Sequence, residues 1–186
     1  MSRNLIEPSV ILTLCTDNIM NIPVIITDKY LSILSMTNIT KSGNHHNIRT
    51  RLISHIEPLL TQFNVDMIIL EQNKLFTDTF SKYPDPYILR NVTLSFGINI
   101  SIEDAFWDKV KYILEIPRKD WTDKILGKAD RYSIDLYKSH IMHYNFDDNT
   151  LNNIDINNYY KTICLSESVF YDSLMNRKYQ VNKGES

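Results

Sequence analysis

Three acidic residues, Asp17, Glu71 and Asp172, are the side chains of this sequence best placed to do chemistry. A carboxylate at the end of an apolar run is costly to bury unless it is paired, hydrated or bound to a metal ion. Carboxylate oxygens are the ligands that suit Mg²⁺ or Mn²⁺. Two such ions about 3.5–4 Å apart can activate a water and stabilise the leaving oxygen of a phosphodiester. Glu71 is the strongest candidate, because it closes the run VDMIIL and is followed by Gln72 and Asn73. Strand alternation predicts Val65, Met67, Ile69 and Glu71 on one face; the competing role for Glu71 is a solvated strand terminus. Asp17 follows SVILTLCT and shares its parity with Cys15; the competing role is a turn residue in TDN. Asp172 lies in LSESVFYDSLM, four residues after Ser168 and on the same helix face. Glu167 is about 140° around that helix from Asp172, so it reads as an exposed charge.

Lys124, Lys128, Arg131 and Lys138 surround Tyr132 and Tyr137 and could touch phosphates. Asp123, Asp130 and Asp135 dilute that patch, which leaves a solvated helix face as the competing reading. His45 and His46 stand in a polar stretch with no partner spacing for a metal.

The elements that must position these residues follow from periodicity. Residues 9–16, 22–28 and 30–37 read as three strands, with Pro23 at the start of the second, where proline is tolerated. Ile48, Leu52, Ile56, Leu59, Leu60 and Phe63 recur at helical spacing and predict a helix over 47–63, with Asn47 as its cap and Pro58 as a point where it could kink. Residues 65–70 form a buried strand that ends at Glu71. Residues 76–106 read as largely helical, with breaks at Pro84, Pro86 and Gly97. VKYILEIP, 110–117, is a fifth strand; helical patterns occupy 120–143 and 163–179.

The bulk properties bound the answer. The 186 residues suffice for one buried core, and 1–181 reads as a single domain with a polar, frayed tail over 182–186. Asn, Ile, Lys and Tyr are abundant while Gly and Ala are scarce, a bias typical of AT-rich coding DNA. Net charge is −2, which argues against a general DNA coat protein but not against basic groups around one groove. No apolar run reaches the roughly 18–20 residues needed to cross a bilayer, so no membrane partner is expected. The N-terminus lacks the pattern of a signal peptide. Cys15 and Cys164 are the only cysteines and form no CxxC pair, which fits reduced thiols in an intracellular protein.

The order strand–strand–strand–helix–strand resembles the RNase H-like core, an α/β fold with a mixed five-stranded sheet: three antiparallel strands, then parallel strands reached through helical crossovers. An arbitrary α/β domain could share that order. Together the segments resemble the RuvC-type Holliday junction resolvases, in the branch found in poxviruses, other large DNA viruses and fungal mitochondria. The likeness spans about 9–175. SVILTLCTDNIMNIPVII resembles the family's first hairpin, VDMIILEQN its second motif, KADRYSIDLYKS its basic helix and SVFYDSLM its final helix. Matched without gaps, Cys15 falls on the first catalytic Asp; a one-residue deletion in the turn brings Asp17 there. The usual glycine of that turn is missing. The acid expected three or four residues before Asp172 is replaced by Val169 or Ser168.

The resemblance implies a Mg²⁺- or Mn²⁺-dependent endonuclease acting on branched DNA. Asp17, Glu71 and Asp172 would hold the metal, Gln72 would steady the site, and the protein would work as a homodimer in the cytoplasm or a viral replication compartment. The substitutions imply an alternative, a non-cutting relative kept for DNA or protein binding. A domain unrelated to nucleic acid is the third reading.

Overall fold

The structure is a computed structural model that describes residues 8–16, 21–40, 45–72, 86–126 and 159–170. Its elements are β1 (Val10–Leu14), β2 (Asn21–Asp28), β3 (Ile33–Thr40), α1 (His45–Phe63), β4 (Met67–Gln72), α2 (Pro86–Phe106), β5 (Tyr112–Pro117) and α3 (Arg118–Leu126). A further helix, α4, covers 159–170. The strands form one sheet in the order β3-β2-β1-β4-β5. β1–β2 and β2–β3 pair antiparallel, whereas β1–β4 and β4–β5 pair parallel. This is the mixed RNase H-like sheet that the sequence predicts.

Strand alternation divides the core into two layers. Leu12, Leu14, Val24, Ile26, Ile68 and Leu70 pack with Ile48, Leu52, Ile56 and Leu60 of α1 and Ile98, Ile102 and Phe106 of α2. Ile11, Cys15, Ile25, Met67 and Ile69 pack with Trp121 and Ile125 of α3 and with Tyr159, Ile163 and Cys164 of α4. Helices therefore cover both faces, as central strands that are apolar on both faces over most of their length require.

Several local expectations shift. β3 begins at Ile33, not residue 30, because Asp28 organises a turn. Its Oδ1 accepts from the backbone N–H of Tyr30 (2.8 Å) and of Ser32 (2.9 Å), and Leu31 adopts φ 65°. Val65 joins the α1 side of the core rather than the Met67–Ile69 face, because it precedes the first paired residue of β4. It belongs instead to the end of α1. Asn64 takes φ 50° and Val65 N–H donates to Leu60 O at 3.0 Å, a left-handed cap that asparagine tolerates well. Val65 and Leu60 both enter the core there, the apolar contact usual for such a cap.

α2 begins at Pro86 and runs without a break through Gly97. A Cβ at Gly97 would come within 2.2 Å of Arg49 Nη2, so this glycine admits a side chain of α1 rather than ending a helix. α1 likewise continues past Pro58, which sits on its exposed side. Pro23 pairs with Asn38, one position before β2 gains β1 as a second neighbour, so its missing N–H costs no bond to β1. Among the described residues no helix is long and apolar enough to cross a membrane.

Candidate functional site at the carboxyl end of the sheet

β1 and β4 run parallel with Leu14 opposite Leu70, so their carboxyl ends lie side by side. Cys15 and Thr16 leave one strand there while Glu71 is the penultimate residue of the other. Alternation sends their side chains to opposite layers. Thr16 turns toward α2, where its hydroxyl lies 2.7 Å from Ser95 Oγ and donates to Asn99 Oδ1 at 2.9 Å. The Asn99 amide donates to the Glu71 backbone carbonyl at 3.1 Å and to Glu115 Oε1 at 2.8 Å. One asparagine of α2 thus ties together the ends of β1, β4 and β5. Glu103, nearby on α2, is held above the usual carboxylate range by burial and by the charges of Glu115 and Asp104.

The Glu71 side chain points to the other layer, with Met67 and Ile69, and is 1% exposed. Buried so deeply, an ionised carboxylate needs compensation. Lys161 of α4, itself 4% exposed, donates its ammonium to Glu71 Oε2. Arg118, the first residue of α3, brings Nε to 3.4 Å from Oε1. Both helices that cover this face therefore send a cation to one acid. Cys15 is buried in the same layer, also at its carboxyl end.

The direction of α4 decides which of its residues meet Glu71. Lys161 reaches the carboxyl end of β4, whereas Ser166 Oγ lies 2.7 Å from Thr27 Oγ1. Thr27 pairs with Ile11, which pairs with Met67, four rows back along β4 from Glu71. The helix therefore runs antiparallel to β1 and β4, away from Glu71. Ser168 is two turns past Lys161, roughly 10 Å along the axis. It is buried, with its hydroxyl given to Leu165 O at 2.7 Å.

Of the predicted site residues, Glu71 is placed at the strand end, buried and ion-paired rather than solvated. Lys124 is exposed on α3, next to exposed Asp123. Asp17, Asp172, Lys128, Arg131 and Lys138 lie outside the described residues. His45 and His46 begin α1, and their side chains lie outside the description. Glu167 is partly exposed; its charge, after burial, helps push the Cys164 thiol up to about 12. Lys161 and Arg118 are the residues that sequence reasoning missed. Lys161 left a signal: it is a lone charge within the apolar stretch Tyr159–Leu165.

The arrangement does not fit a divalent ion on Glu71 as the side chains stand. The two carboxylate oxygens face Lys161 and Arg118. A doubly charged ion about 4 Å from one such cation would be repelled by roughly 8 kcal/mol at an effective dielectric near 20. On the described part of α4, the residue that reaches Glu71 and the positions three and four residues after it would be 161, 164 and 165. Those hold Lys161, Cys164 and Leu165.

No protein-family model and no curated protein matches this chain. Solved structures do. The chain is similar to T. thermophilus RuvC in complex with Holliday junction substrate, with a TM-score of 0.58 at 10% identity over 89% of this chain and 95% of that one. It is similar to another Thermus thermophilus RuvC structure, with a TM-score of 0.58 at 9% identity over 89% and 96%. The architecture is shared over 89% of this chain at about one-tenth sequence identity, and the chain therefore has the RNase H-like fold also seen in RuvC.

Proposed function

We propose that this chain is a resolvase-like protein that binds branched DNA, with its Glu71 site held by protein cations rather than used for cutting. The reading is carried by the match, across 89% of this chain, to a RuvC solved on a Holliday junction. Lys124, Lys128, Arg131 and Lys138 are the cations assigned to phosphate contacts. The protein acts as a homodimer, whose two-fold axis matches the two-fold symmetry of a four-way junction. Its place of action is the compartment where viral or cellular DNA is replicated.

The test is a gel-shift titration in EDTA with a four-way junction and a linear duplex of the same arm sequences. Binding at least tenfold tighter to the junction supports the reading. Equal affinity for both, or no binding to either, removes it. Combined reversal of the four cations to Glu should weaken junction binding and flatten its salt dependence.

The second reading is a Mg²⁺- or Mn²⁺-dependent endonuclease in which Asp17, Glu71 and Asp172 hold the metal; Gln72, expected to steady that site, is exposed and alternates to the other face from the Glu71 carboxylate. The position of Glu71, at the carboxyl end of the parallel strand beside β1, favours it. It requires Lys161 to leave the carboxylate. The ion pair at Glu71 favours the first reading.

A further inference from the structure

We infer that Lys161 takes the place of a divalent cation at Glu71, so that the carboxyl end of the sheet is held by a permanent ion pair. The inference deepens the branched-DNA reading by assigning a function to its central acid, and it rests on that reading only for the comparison with a metal site.

Four observations converge. Glu71 and Lys161 are ninety positions apart in sequence and both almost fully buried, so their contact is a tertiary feature rather than a surface coincidence. Arg118 approaches the second carboxylate oxygen from a different helix. The turn of α4 after Lys161 offers Thr162, Ile163, Cys164 and Leu165, all buried and none an acid. Across the sheet, the residue after β1 in the same layer is Cys15, a buried thiol rather than an acid. The residues around Glu71 thus bring positive charge to it, and an ammonium satisfies a buried carboxylate without a metal.

A buried ion pair has a recognisable mutational signature. Removing one partner strands the other charge, whereas replacing both with apolar groups of similar volume is often tolerated. The experiment uses the full chain and measures thermal unfolding in EDTA, MgCl₂ and MnCl₂ for the wild type, Glu71→Gln, Lys161→Met and the double variant Glu71→Leu/Lys161→Met. Wild-type Tm is expected to be the same in EDTA and in either metal. Lys161→Met is expected to lower Tm by roughly 6 °C or more, and the double variant to recover most of that loss. Should the single variant not fold, a double variant that does fold supports the ion pair equally well.

Two results overturn the inference. One is a rise in wild-type Tm with Mg²⁺ or Mn²⁺ that Glu71→Gln abolishes, because Glu71 would then ligate metal in spite of Lys161. The other is a double variant no more stable than Lys161→Met. Junction binding in EDTA, measured on the same wild-type preparation, judges the branched-DNA reading separately.

Discussion

Asn99 is bonded to Glu71 through the backbone carbonyl, not the carboxylate, with its amide 3.1 Å from that oxygen. The distinction separates two jobs at one residue. The main chain of Glu71 is fixed from the α2 side, while its side chain is neutralised from the α3 and α4 side. Because Asn99 also holds Glu115 and accepts from Thr16, it is the polar clasp of three strand ends. Asn99→Leu should leave the Thr16 hydroxyl with Ser95 as its partner and remove the amide bonds to the Glu71 carbonyl and to Glu115 in a buried setting. A loss of about 2–4 kcal/mol is expected, read as a lower urea midpoint with an unchanged slope. A loss below about 0.5 kcal/mol, the scale of an ordinary surface change, would contradict the clasp.

Asp66 does comparable work at the opposite end of the sheet. Its carboxylate accepts from the Ser9 N–H at 2.9 Å and from the Val10 N–H at 3.4 Å, and it pairs with Lys111. Burial alone would raise its pKa, but Lys111 and the two backbone donors prevail and hold the carboxyl below its usual range. A carboxylate depressed in the folded state adds stability that is complete above its unfolded value, about 3.9, and is lost as pH falls through the folded value. Asp66→Asn should therefore cost about 1–3 kcal/mol at neutral pH and less in acid. Unfolding free energy of the two proteins, measured from pH 7 down to pH 3, should converge. A constant gap would remove the ionic part of the explanation.

The thiols offer a chemical check on the second core layer. Cys15 and Cys164 are fully buried, and burial together with the Glu167 charge pushes the Cys164 thiol up to about 12. Both thiols are therefore shielded, and the reactive thiolate of Cys164 is scarce at neutral pH. A thiol reagent should titrate neither cysteine in the native protein and both in guanidinium. Prompt native labelling of either one would show that α4 does not cover β1 as described.

Asn64 tests the chain direction at the end of α1. Its φ of 50° suits glycine or asparagine, and its N–H contacts Thr61 O at 3.4 Å. Asn64→Gly should leave stability within about 0.5 kcal/mol, whereas Asn64→Val should lose about 1–2 kcal/mol. Equal thermal stability of the two variants would argue against the left-handed cap.

Much of the fold was legible because the central strands are covered on both faces and so read as unbroken apolar runs. The order of strands and helices through Glu71, and the strand at Tyr112–Pro117, follow from those runs and from the helical spacing of Ile48, Leu52 and Ile56. What was hidden depends on distant contacts. Gly97 looked like a helix breaker because its partner, Arg49, is on another helix. The start of β3 was misjudged because Leu31 adopts a conformation its residue type rarely favours. Glu71 was recognisable as a buried strand end, but its counter-charge was not, since Lys161 is supplied by the last described helix. The expected convergence of Asp17 and Asp172 on Glu71 concerns residues outside the described set.

The most direct test of the central claim is strand cleavage of a four-way junction by the wild-type protein in Mg²⁺ and in Mn²⁺, with Glu71→Gln as control and bound complex measured in the same reactions. A junction that is bound but left intact by both proteins is the predicted result. Nicking by the wild type that disappears in Glu71→Gln would contradict the claim and make the buried acid a catalytic one.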